Sequence, residues 1–147
     1  MFIISDERGA KILSNLFQYS VSTSKNQEFV DITHLLERAI KESGIENGMA
    51  LVFCPHTTAG ITINENADPD VAFDIIRTLD KVFPVKGDYR HIEGNSHAHV
   101  KASCIGSSCN VIIANRKPLL GTWQGVYFCE FDGPRRRKVY INCMEAK

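Results

Sequence analysis

The sequence predicts an α+β domain on three observations. Two amphipathic helical stretches stand among many strand-like runs, strands and helices do not alternate regularly, and neither a repeat nor a linker divides the 147 residues. A chain of this length buries a sizeable core, so residues 1–147 are read as a single domain.

Phe17, Tyr19 and Val21 alternate with Gln18, Ser20 and Ser22, the period of a half-buried strand. Residues 24–27 turn the chain into a returning strand, Phe29-Val30-Asp31-Ile32. Thr33 then caps a helix whose stripe is Leu35, Leu36, Ala39 and Ile40, and Gly44 ends it. Residues 50–54 form a continuous apolar strand stopped by Pro55. Asp68 as N-cap and Pro69 in the first turn open a second helix, with Val71, Ile75, Ile76, Leu79 and Val82 on its buried side until Pro84. From there the chain reads as strands over 98–104, 111–113, 122–131 and 137–143, with turns at Gly106-Ser107-Ser108 and Asp132-Gly133-Pro134.

Composition narrows the function. Lysine plus arginine and aspartate plus glutamate are equal at 17 each and the pI is near 6.9, which argues against a nucleic-acid partner and leaves room for a local basic pocket. Five scattered cysteines, Cys54, Cys104, Cys109, Cys129 and Cys143, read as free thiols in a reducing compartment. Phe2-Ile3-Ile4 is too short for a signal core and no run reaches membrane-span length, so a cytoplasmic protein without a membrane partner is expected. No Walker loop, paired Cys-x-x-Cys or nucleophile elbow is present.

Three segments carry candidate chemistry. As a strand, 97–103 places His97, His99, Lys101 and Ser103 on one face, with Ala98, Val100, Ala102 and Cys104 on the other. The polar face is either solvated or a metal site, since two imidazoles two residues apart on one strand face reach a common ion. His56 stands where an apolar strand ends, followed by Thr57, Thr58, Asn64 and Glu65, which supply hydroxyls for phosphate and a carboxylate for proton or metal. Parity around 135–143 puts Arg135 and Arg137 with Val139, Ile141 and Cys143, facing the core or a cleft. Arginines so placed need anionic partners, either phosphate or the nearby Glu130 and Asp132. His91, in a loop before Glu93, is a third imidazole or a surface residue.

Taken in order, Pro55-His56-Thr57-Thr58-Ala59, Ile63-Asn64-Glu65, Tyr89-Arg90-His91, Asn95-Ser96-His97-Ala98-His99, Leu120-Gly121-Thr122-Trp123-Gln124 and Glu130-Phe131-Asp132-Gly133-Pro134-Arg135 resemble the YjbQ family, also called the secondary thiamine-phosphate synthase family. The resemblance spans residues 17 to 143. It implies a strongly curved mixed or antiparallel sheet, half-barrel or sandwich-like, with two main helices, assembled as a homotrimer. It also implies a weak thiamine-phosphate synthase activity, a transferase reaction joining a hydroxymethylpyrimidine diphosphate to a thiazole phosphate and releasing pyrophosphate. The physiological substrate is left open.

On this resemblance His56, His97 and His99 form the metal cluster, and Glu65 and His91 are catalytic. Thr57, Thr58, Asn64, Asn95, Lys101, Arg135 and Arg137 hold a phosphorylated small molecule. The cofactor is a divalent metal: imidazoles suit zinc, whereas pyrophosphate departure suits magnesium. The alternative is a non-catalytic metal- or anion-binding module, or a trimeric assembly protein. Asn115-Arg116 stands where the family commonly has Asn-Gly, and a wider loop is expected there.

Overall fold

The apolar side of each alternating strand needs a second layer to cover it, and here that layer is helical. The computed structural model describes residues 15–146 and the backbone of two short antiparallel strands, β1 (Ile3–Ser5) and β2 (Lys11–Leu13). The order continues with β3 (Leu16–Ser22), β4 (Glu28–Asp31), α1 (Thr33–Ser43), β5 (Gly48–Phe53) and β6 (Ala59–Glu65). Next come α2 (Pro69–Val82), α3 (Ser96–Ile105), β7 (Ser108–Ala114), β8 (Lys117–Pro118), β9 (Gln124–Glu130) and β10 (Arg136–Glu145). One sheet runs β3-β10-β5-β7-β8 and another β4-β9-β6, every pair antiparallel. Beside the first sheet, Ile61 N–H of β6 donates to Gly106 O in the connection from α3 to β7, and the whole is the strongly curved half-barrel of an α+β fold.

The stripe of α1 fills the barrel. Leu36, Ala39 and Ile40 are buried against Val21, Val52, Val111, Phe128, Val139 and Ile141, and Gly44, at φ +73°, ends the helix as expected. Thr33 is the first helical residue rather than the cap. Its hydroxyl accepts from Val126 N–H at 2.9 Å, and Asp31 Oδ1 accepts from Thr33 N–H at 2.8 Å. In β9, Val126 and Phe128 face this core, while Tyr127 and Cys129 face a second cluster with Phe131 and the α3 residues Ala98 and Ala102. That strand is therefore covered on both faces.

Three further expectations are corrected. Residues 98–104 form most of helix α3, not a strand. Ala98, Val100, Ala102 and Cys104 satisfy a period of two, but Ala98 and Ala102 are also four apart, and alanine favours helix over strand. Their burial against Tyr127 and Phe131 decides for the helix. Its C-terminal end crosses β6 closely: a Cβ on Gly60 would stand 2.7 Å from Gly106 O, a position only glycine fills.

The second correction concerns α2. Asp68 caps it as expected, accepting from Asp70 N–H at 2.9 Å with Pro69 following. None of its residues is buried, however, and Val82 is 60% exposed, so among the described residues the outer side of α2 is left uncovered.

The third is the β7–β8 turn. Ala114 pairs with Lys117, so only Asn115 (φ +51°) and Arg116 (φ +64°) make the connection, a tight hairpin rather than a wide loop. Asn115 N–H donates to Asn47 Oδ1 (3.2 Å) and Arg116 N–H to Glu46 O (2.9 Å), which offsets the strain of two left-handed residues. Arg116→Gly is expected to raise stability by about 0.5–1 kcal/mol in urea titration, because glycine adopts this conformation without the Cβ clash. Among the described residues no helix is long and apolar enough to cross a membrane.

Candidate functional site

Helix α3 divides the expected histidine cluster. At ~100° per residue, neighbours two apart point ~200° from each other and neighbours four apart nearly coincide. His97 and Lys101 thus share one flank, and His99 and Ser103 the opposite one.

On the first flank Lys101 is fully buried, and its Nζ donates to Gln27 Oε1 at 2.8 Å and to Asp80 Oδ1. Gln27 Nε2 donates to the same Asp80 oxygen at 2.9 Å. Burial acts to raise the Asp80 carboxyl, but the hydrogen bonds from Lys101 and Gln27 and the Lys101 charge outweigh it and hold the group below the ordinary carboxylate range. His97 is 6% exposed, and its Nδ1 has no partner among the described residues. Nearby, Asn95 Nδ2 and Arg135 Nη2 both donate to Asp132 Oδ2 at 3.0 Å.

On the second flank His99 forms a wall shared by two cavities. One, of about 600 Å³, is lined by His56, Thr57, Ser103 and Ser107 as well. The other, of about 330 Å³ at the N-terminal end of α3, is lined by Tyr89, Arg90, His91 and Ser96. The His91 and His99 rings meet edge to face with centroids 5.3 Å apart.

His56 Nε2 accepts from Lys138 N–H at 2.8 Å, and the ring stands edge-on to Phe128. Its single lone pair is thereby used and the proton lies on Nδ1. Burial first and the Arg137 charge second hold His56 below the ordinary imidazole value of 6.5; burial and Lys101 do the same to His97. The unfolded chain takes up these protons at a higher pH than the folded one. Stability is therefore complete above pH ~6.5 and declines as the pH falls into the window below it. Urea midpoints are expected to drop between about pH 7.5 and about pH 5, and His56→Gln, which keeps an acceptor for Lys138, to flatten that drop.

Arg137 and Thr58 belong to a buried network rather than to a cleft. Arg137 Nε donates to Glu130 Oε2 (2.7 Å), and Nη2 to Glu130 Oε1 (2.5 Å) and Thr58 Oγ1 (2.8 Å). Glu130, fully buried, also accepts from Phe131 N–H (3.1 Å) and Asp132 N–H (2.9 Å), fixing the start of the 131–135 turn. Of the two partners expected from sequence, Glu130 takes Arg137 and Asp132 takes the half-exposed Arg135. All five cysteines are free thiols, and burial pushes Cys54 up to about 11, so it is not a nucleophile at neutral pH.

Asn64 and Glu65 lie at the far end of β6 from Ala59, opposite Gly125 and Gln124, roughly 20 Å along the strand. They do not join the histidines. Among the described residues no three His, Cys, Asp or Glu side chains converge as metal ligands. His97 and His99 lie on opposite flanks of α3 and His56 Nε2 accepts from Lys138 N–H, so the three imidazoles do not form one ligand cluster among the described residues. Sequence reading missed Gln27, Asp80, Arg90 and Ser107. Asp80 left a signal, as a carboxylate beside Leu79 on an otherwise apolar stripe, and Arg90 stands within the Tyr89-Arg90-His91 motif.

A half-barrel with a histidine-walled pair of cavities beside one helix is the class of protein so defined. The chain belongs to the UPF0047 protein YjbQ-like family, whose model matches residues 17–146. It is 52% identical to UPF0047 protein MJ1081 of Methanocaldococcus jannaschii over 136 residues, covering 92% of this chain and 99% of that one. With UPF0047 protein YugU of Bacillus subtilis it shares 55% identity over 125 residues, 84% and 95% of the two chains. A solved yjbq/upf0047 family protein from Clostridium acetobutylicum matches with a TM-score of 0.86 at 64% identity, covering 87% of this chain and 99% of that one. A YbjQ-like structure from Sulfolobus solfataricus gives 0.85 at 32% identity, covering 89% and 96%.

Proposed function

We propose that the chain binds a phosphorylated small molecule across His99 and acts as a low-rate transferase of the thiamine-phosphate synthase type, joining a pyrimidine diphosphate to a thiazole phosphate. The observation that carries this reading is the double role of His99, which walls two cavities at opposite ends of α3. The smaller one offers the Arg90 guanidinium, two imidazoles, the Ser96 hydroxyl and the N-terminal pole of α3, a ten-residue helix whose dipole favours anions there. It suits the phosphate groups and the departing pyrophosphate. The larger one lies at the opposite pole of α3 and is lined by hydroxyls and the neutral His56, suited to an uncharged ring with polar edges.

The reading includes self-association as a homotrimer in the cytoplasm, without nucleic-acid or membrane partners. Its support is the outer face of the larger sheet, where Met49, Phe53, Ile112 and Met144 are exposed beside Leu51 and Tyr140. Calorimetry with hydroxymethylpyrimidine diphosphate, and product analysis after adding thiazole phosphate with and without Mg²⁺ or Zn²⁺, test it. Absence of binding by the diphosphate overturns the reading; binding without product reduces it to a binding module.

A further inference from the structure

The inner side of α2 is fastened to the body by a carboxylate as well as by apolar packing. Asp80 accepts from Lys101 Nζ and Gln27 Nε2, while Leu79 rests on the Ala98–Tyr127–Phe131 cluster and no α2 residue is buried. The two partners are unequal: the Lys101 side chain is 0% exposed and that of Asp80 42%. Water can take over the carboxylate but not the ammonium, and a buried ammonium demands an anion.

Two further groups stand unused: His97, one turn before Lys101, and Asn95, which has Asp132 as a neighbour in common with His97. His97, itself 6% exposed, keeps Nδ1 without a partner among the described residues, and so does the buried Asn95 Oδ1. A buried cation and an imidazole N–H are the donors an oxyanion requires. A carboxamide oxygen adds an acceptor, which only an oxyanion carrying its own hydroxyl satisfies. Asp132, which also faces His97, is neutralised by Arg135 at 3.0 Å.

We propose that this flank of α3 is a phosphate site, distinct from the His99 cavities, in which Asp80 occupies the place of the phosphate and α2 is the latch the ligand releases. Hydrogen phosphate accepts from Lys101 and His97 and donates its O–H to Asn95 Oδ1. Sulfate has no such proton at neutral pH, so phosphate is preferred.

Inorganic phosphate is the probe, followed by calorimetry and by amide hydrogen exchange of α2 in the intact chain. Phosphate is expected to bind at least ~10-fold more tightly than sulfate and to accelerate exchange across α2, since binding releases the helix instead of ordering it. Asp80→Asn, which removes the competing charge, is expected to tighten phosphate binding ~10-fold. Unchanged or slowed α2 exchange at saturating phosphate overturns the proposal, as does a loss of affinity in Asp80→Asn. Should that variant fail to fold, the exchange measured on the native chain decides. His99→Ala is expected to preserve the α2 response; its loss there would place the phosphate in the other cavities and overturn this proposal while leaving the transferase reading intact.

Discussion

Arg137→Met is expected to reduce the free energy of unfolding by about 3–5 kcal/mol in urea titration, with a thermal midpoint about 10 °C lower. The loss arises less from the missing attraction than from what stays behind. Glu130 is fully buried, and without the guanidinium its two oxygens retain only backbone N–H groups and the Thr23 hydroxyl at 3.1 Å. A carboxylate left desolvated in that position without a counter-charge is costly. Glu130→Gln together with Arg137→Met removes both charges, and the double variant is expected to recover most of the loss. A deficit under about 1 kcal/mol in the single variant would mean that the pair is not the buried fastening described, and that water reaches Glu130.

His99→Ala is expected to weaken binding of the pyrimidine diphosphate by ~10-fold or more, while His97→Ala leaves that affinity within about twofold. The contrast follows from the helix. A strand would align both rings toward one ligand, and the two variants would then behave alike. In α3 only the second ring borders the cavities shared with His56 and His91. Calorimetry on both variants, with circular dichroism to confirm folding, separates the alternatives. Equal losses would return His97 to the cavity side and contradict the geometry.

The sequence was most legible where a pattern admits one period. Along β10, Arg137, Val139, Ile141 and Cys143 are buried while Arg136 and Lys138 are exposed, as parity requires, and the nearest carboxylates in sequence are the actual partners. In α1 the apolar stripe is buried as its spacing demands. Over 98–104 two periods fit the same alanines, and only tertiary burial against β9 distinguishes them. The stripe of α2 shows another limit, since amphipathicity states that a helix has an apolar side but not that its own chain covers it. The convergence of His56 with His99 lay beyond local reading. It depends on α3 crossing β6 at Gly60, a contact that no spacing between the two histidines announces.

The two-sided cover of β9 makes that strand a common ruler for the cavity. On one face Phe128 props the ring of His56; on the other Tyr127 and Cys129 seat the helix that carries His99. Because adjacent residues of one pleated strand set both supports, the gap between the two imidazoles is fixed by backbone geometry rather than by loop conformation. Changes of side-chain volume at 127–129 should therefore alter ligand fit before they unfold the chain, although none of these three residues lines a cavity wall.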